Sequence, residues 1–142
     1  MQMRIPVVLS LRGTQRYQEQ DPDVIELVTD GVMVRRTNGW DISYEESELT
    51  GMEGVLTTFR ITPEKITLRR SGKLRSEMVF QQDQCHESLY QMEFGTLMIR
   101  VCAEKMTYDL TEAGGTMDLV YSIEIENTAM GHIDYHLEVK AK

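Results

Sequence analysis

Long apolar runs, helix-period stripes and basic clusters are all missing from this 142-residue chain. No stretch supplies the roughly 20 consecutive apolar residues of a membrane-spanning helix, which excludes that architecture. Positive charge is scarce. The formal net charge is −8, and the largest basic groups are the pairs Arg35-Arg36 and Arg69-Arg70. A nucleic-acid binder gathers positive charge on one face to neutralise phosphates, so no nucleic-acid partner is expected, and no anionic membrane surface. A basic protein partner fits the balance, although surplus acid also serves solubility.

Cysteine is nearly absent as well. Cys85 and Cys102 lie far apart and make no C-x-x-C pattern. The opening Met1-Gln2-Met3-Arg4-Ile5-Pro6 has neither the apolar core nor the small-residue cleavage site of a secretory signal. A cytoplasmic location follows as an expectation, and with it two reduced cysteines in structural roles. No G-x-S-x-G, P-loop or dinucleotide fingerprint occurs, so the usual hydrolase and nucleotide signatures are lacking. No cofactor is implied.

What the chain does have is alternation. Met117, Leu119, Tyr121, Ile123 and Ile125 take turns with Asp118, Val120, Ser122, Glu124 and Glu126. Period two belongs to half-buried strands, one side chain facing a core and the next facing water. The pattern recurs from Met3 to Lys140 without a segment long enough for a core helix. Many linked strands in one compact chain must hide their edges, most completely by closing the sheet on itself. The expected fold is all-β, a single domain over residues 1–142 with eight to ten antiparallel strands; alternation alone leaves a barrel and a sandwich open.

Turn signals divide the strands. Met3, Ile5, Val7, Leu9 and Leu11 share one face of the first, where Pro6 points to a seam or faces away from its neighbour. Thr14 to Asp23 reads as a polar connection. Val24 to Arg36 reads as one strand, with a bulge or corner at Gly31. Asn38-Gly39 is the strongest hairpin signal and predicts a type I′ turn. Later breaks fall at Thr62-Pro63-Glu64, Ser71-Gly72, Gly95, Gly114-Gly115 and Asn127 to Gly131.

In order along the chain stand Thr29-Asp30-Gly31, Tyr44-Glu45-Glu46-Ser47, Leu49-Thr50-Gly51, Arg70-Ser71-Gly72, Phe94-Gly95 and Gly114-Gly115 with Tyr121. Together these signatures resemble the YwiB-like family of small bacterial proteins, a domain of unknown function, over essentially the whole chain. Glu93 departs from the pattern, where a small hydroxyl residue is expected. The resemblance implies a calycin-like β-barrel, related in architecture to lipocalins and fatty-acid-binding proteins. It also implies a bacterial source and no established activity. It brings no catalytic or binding residues with it.

Candidate chemistry comes from parity alone. Glu46 shares a face with Ile42 and Tyr44, and Arg70 with Ile66 and Leu68. If those faces point inward, two charges enter the barrel near a strand end, either to anchor a ligand or to pair structurally. Tyr44, Tyr121 and Tyr135 have the same inward parity, and would offer hydroxyls to a ligand or bond the backbone. His132 and His136 suggest a metal pair only on a helix. On a strand they stand roughly 13 Å apart, so no metal site is expected. Adjacent Cys85 and His86 point to opposite faces, which argues against a dyad. Trp40 near the acidic stretch Glu45 to Glu53 suggests a protein-binding surface or a barrel cap.

The expectation is therefore a non-enzymatic barrel. Its lumen would hold a small apolar or amphipathic ligand against Tyr44, Glu46, Arg70, Tyr121 and Tyr135, with the ten methionines filling gaps. The alternative is a solid barrel that serves as an interaction or regulatory module.

Overall fold

The computed structural model describes residues 3–17, 21–47, 52–127 and 129–142. Ten strands run in chain order: β1 (Arg4–Tyr17), β2 (Asp23–Arg36), β3 (Gly39–Glu45), β4 (Val55–Ile61), β5 (Ile66–Gly72), β6 (Arg75–Phe80), β7 (Cys85–Met92), β8 (Gly95–Thr111), β9 (Gly114–Ile125) and β10 (Ala129–Ala141). Each pairs antiparallel with its neighbours in sequence, and β1 closes the ring against β10. No helix occurs among the described residues. Ten strands stand at the top of the range that alternation predicts.

Parity sorts the side chains as expected. Val7, Leu9, Met33, Ile42, Phe59, Ile61, Ile66, Phe80, Met117 and Leu137 have no surface that water can touch. A void large enough for one water would expose some of that surface, so none borders them. The middle of the tube is a packed core, and a purely apolar ligand has no room there. Alternation left open whether the lumen is hollow or filled, and its middle is filled.

Local expectations fare unevenly. Pro6 does sit at the terminal seam, just beyond the last β1–β10 pair, Val7 with Ala141. The polar stretch from Thr14 is not all connection, because β1 continues to Tyr17 against β2 and β10. Gly31 makes no bulge. It pairs in register with Val7, and a Cβ there would stand 2.6 Å from the Ser43 carbonyl. The hairpin at Asn38-Gly39 exists, with Arg36 opposite Gly39, but it is not type I′, since neither Thr37, Asn38 nor Gly39 has positive φ. Gly39 is needed for a different reason: a Cβ there would collide with the carbonyl of Ile61. Phe94 belongs to the turn between β7 and β8 and is 87% exposed.

Two further expectations are overturned. Trp40 is buried in the core, at the end of β3 opposite to Glu45. Four residues of extended strand, Asp41 to Tyr44, separate it from Glu45 at the start of the acidic stretch, so the two form no joint surface. Glu48 of that loop, like the Leu49-Thr50-Gly51 signature, lies outside the described residues. Cys85 and Cys102 are not reduced but joined in a disulfide. They are direct partners across β7 and β8, with Cα atoms 4.0 Å apart. Register, not burial, brings them together.

Candidate functional site

Polar residues interrupt the apolar interior at one end of the barrel. The pairing register carries an inward row from Tyr44 on β3 to Thr57 on β4, Arg70 on β5 and Ser76 on β6. Just beyond the end of β3, the Glu46 amide bonds the Val55 carbonyl at 2.8 Å, which holds its side chain on the same inward face. Alternation along each strand thus builds a polar ring on top of the apolar core.

Opposite this row stand β1, β2 and β10. A cavity of about 220 Å³ opens between the two walls. Tyr44, Glu46, Arg70 and Tyr135 line it on its polar side, and Leu11, Ile25, Leu27 and Met52 on its apolar side, with Gly13 and Gln15 beside them. The Tyr135 ring rests on Phe59 at 5.6 Å between centroids, so the cavity floor is the top of the core. Four of the five expected residues meet here. Tyr121 does not: its ring packs on Phe80 at 4.6 Å, within the core.

The electrostatics of this end are unusual. Tyr44 is pushed well above the ordinary phenol range, first by burial and then by the neighbouring Tyr135 and Glu46. Tyr135 is raised too, chiefly by burial, while its bond with Tyr44 and the charge of Arg70 pull the other way. The two hydroxyls hydrogen-bond each other. By exposure Tyr44 is the more deeply buried of the two. Neither hydroxyl is poised to act as a base near neutral pH.

Glu46 is buried and accepts a hydrogen bond from Thr57 Oγ1 at 2.6 Å through Oε2. Its Oε1 is buried without a partner, and so is Nε of Arg70. No ion pair joins Glu46 to Arg70 among the described residues. Both residues line the one small cavity, and each carries a buried atom that no protein group satisfies. Among the described residues at this end, no nucleophile stands with a base and an orienting group.

Parity found this cluster but missed Asp41. It faces outward, yet is only 6% exposed, because Arg36 and Arg60 cover it. Arg36 approaches at 2.7 Å and Arg60 at 3.2 Å. The charge alternation in Arg36, Asp41 and Arg60 was the available signal, since Asp41 and Arg60 are register partners. His132 and His136 face different acids, Glu104 and Asp118. Among the described residues no group of three acidic, histidine or cysteine side chains could hold a metal.

The family model for a domain of unknown function, DUF1934, matches residues 9–138. The chain belongs to this family. The uncharacterized beta-barrel protein YwiB of Bacillus subtilis (strain 168) is 23% identical over 125 residues, spanning 88% of this chain and 86% of that protein. The crystal structure of ywiB protein from Bacillus subtilis superposes with a TM-score of 0.82 at 21% identity, over 95% of this chain and 92% of that one. That likeness shows the fold, a closed antiparallel barrel. It assigns no activity.

Proposed function

We propose that the protein is a non-enzymatic binding barrel whose site is the end cavity, and whose ligand is a compact amphipathic molecule. The observation that carries this reading is the pair of unsatisfied groups, Glu46 Oε1 and Arg70 Nε, in one cavity. A buried charge left without a partner costs about 3–5 kcal/mol, and a ligand that supplies the partners recovers much of that. The fitting molecule offers an anionic or carbonyl oxygen to Arg70 and an amine or hydroxyl proton to Glu46. Its apolar part lies on Ile25, Leu27 and Met52. At about 220 Å³ the cavity holds roughly seven waters at liquid density, so the buried part of the ligand is small.

The ten-strand meander supports kinship in architecture with the calycins, and the Bacillus subtilis relative supports a bacterial source. A cytoplasmic location stands against the disulfide, which persists best in an oxidising compartment. Counting free thiols on acid-quenched cells distinguishes the two.

Native mass spectrometry of protein taken from its own host tests the binding reading. A retained small molecule that is lost in both Arg70→Gln and Glu46→Gln supports it. Protein that carries no adduct, and shows no saturable response at Gln15 or Leu27 to a panel of small amino, hydroxy and keto acids, overturns it.

A further inference from the structure

The barrel wall is not zipped along its whole length. β6 and β7 pair only through Arg75 with Gln91 and Ser76 with Tyr90. The far end of their seam is filled by the segment from Gln81 to Gln84. There the Asp83 amide bonds the Ala103 carbonyl, the Ala103 amide bonds the Gln84 carbonyl, and the Gln82 side chain bonds the backbone of Glu104 and Met106. Near the zipped end a slit of about 540 Å³ opens to the outside.

The slit is cationic in an acidic protein. Arg69, Arg70 and Arg75 border it against Glu77 alone, in a chain of net charge −8. Arg69 engages Glu77 at 3.2 Å, so Arg70 and Arg75 have no acidic partner among the described residues. Ser76 and Ser88 also line the slit, and both hydroxyls are buried without a hydrogen-bond partner. Ser76 is only 7% exposed. Buried polar groups are nearly always satisfied. Here the two hydroxyls are left over, on residues that line one opening.

We infer that the slit binds a phosphate group, as the free ion or as a monoester. Its donors come from both faces of the sheet: Arg75 from outside, and Arg70, Ser76 and Ser88 from the inward parity. A planar carboxylate presents two oxygens in one plane, whereas phosphate presents oxygens in several directions, which suits donors that surround it. The slit shares only Arg70 with the end cavity, and the inference does not rest on an occupant there.

Titration of the isotope-labelled protein at low ionic strength, first with inorganic phosphate and then with phenyl phosphate, tests this by amide chemical shifts. Saturable shifts are expected over 71–77 and 88–91, with Gln15 and Leu27 of the end cavity unmoved. Ser76→Ala removes an unsatisfied hydroxyl, so it keeps or raises the melting temperature, yet it weakens phosphate about tenfold. Arg75→Gln, at an exposed position, weakens it at least about as much. Tighter phenyl phosphate identifies a monoester site, and tighter inorganic phosphate a free-ion site. Absence of saturation with either probe, shifts at the end cavity instead, or unchanged affinity in both variants overturns the inference.

Discussion

The hydroxyls of Tyr44 and Tyr135 meet across the mouth of the barrel in a hydrogen bond. Their strands, β3 and β10, are not neighbours: β2 and β1 stand between them around the wall. The bond therefore spans the interior and closes the top of the core where Tyr135 lies on Phe59. It also fixes the geometry of the cavity that Glu46 and Arg70 face.

Unequal burial makes the two phenylalanine variants unequal. Tyr44→Phe leaves the Tyr135 hydroxyl without its partner but within partial reach of water, at a cost of about 1 kcal/mol. Tyr135→Phe strands the buried Tyr44 hydroxyl and costs about 1–3 kcal/mol. Urea unfolding should rank Tyr135→Phe as the weaker protein. Equal midpoints would show that the bond does not carry that asymmetry.

Thr57 is the one protein donor to the Glu46 carboxylate among the described residues. Thr57→Val keeps the shape of the side chain but leaves both carboxylate oxygens unpartnered in a buried position. A loss of about 2 kcal/mol is expected in urea unfolding. The double variant Thr57→Val with Glu46→Leu should recover part of it, because no buried charge then remains. A double variant less stable than Thr57→Val alone would show that Glu46 stabilises the barrel by some other contact.

The disulfide closes a sequence separation of 17 residues. On loop-closure grounds, cross-linking that span stabilises the chain by about 3 kcal/mol. Reduction, or the double change Cys85→Ser and Cys102→Ser, should lower the unfolding midpoint accordingly while leaving the far-ultraviolet circular dichroism β-rich. An unchanged midpoint, or two titratable thiols in unreduced denatured protein, would remove the disulfide from the account.

Much of this was legible before any coordinates. Period two in Met117 to Ile125 requires a strand with one face inside, and the same parity in Tyr44, Glu46, Arg70 and Tyr135 puts polar groups into the interior. Parity gives the face but not the height along the barrel. That is why Tyr121 was grouped with the others, although register carries it to Phe80 instead. Trp40 failed for a related reason: a few residues in sequence become the length of β3 in space. The cysteines needed pairing register as well. Both stand equally far from the Glu93-Phe94 turn, so a firm hairpin there would have set them opposite each other. The unzipped seam left no trace, because β6 and β7 alternate like any other strands.

Outside the barrel, Asp41 is held by two arginines, and its removal tests how far a half-covered ion cluster stabilises the wall. Asp41→Asn keeps the volume but drops the charge that Arg36 and Arg60 share. Each charge-assisted bond contributes about 1.5–3 kcal/mol when buried, and exposure of the arginines reduces that, so a loss of about 1–2 kcal/mol is expected. The loss should shrink at high salt. A salt-independent loss would point to packing of the arginine stems instead.

His136 gives the protein a pH-dependent contact of known sign. Its Nδ1 stands 2.6 Å from Asp118, and Glu138 lies 3.3 Å from Nε2. The bond to Asp118 is the main cause that raises its pKa above the ordinary value, with Glu138 adding to it and burial opposing it. A raised folded pKa means that protonation is tighter in the folded chain. The contribution is complete below the unfolded pKa, about 6.5, and fades as pH climbs through the raised folded value. Asp118→Asn should bring the imidazole titration, followed by proton shifts, back toward about 6.5, and should flatten this part of the stability profile. An imidazole that titrates identically with and without the Asp118 carboxylate would show that the pair does not hold the proton.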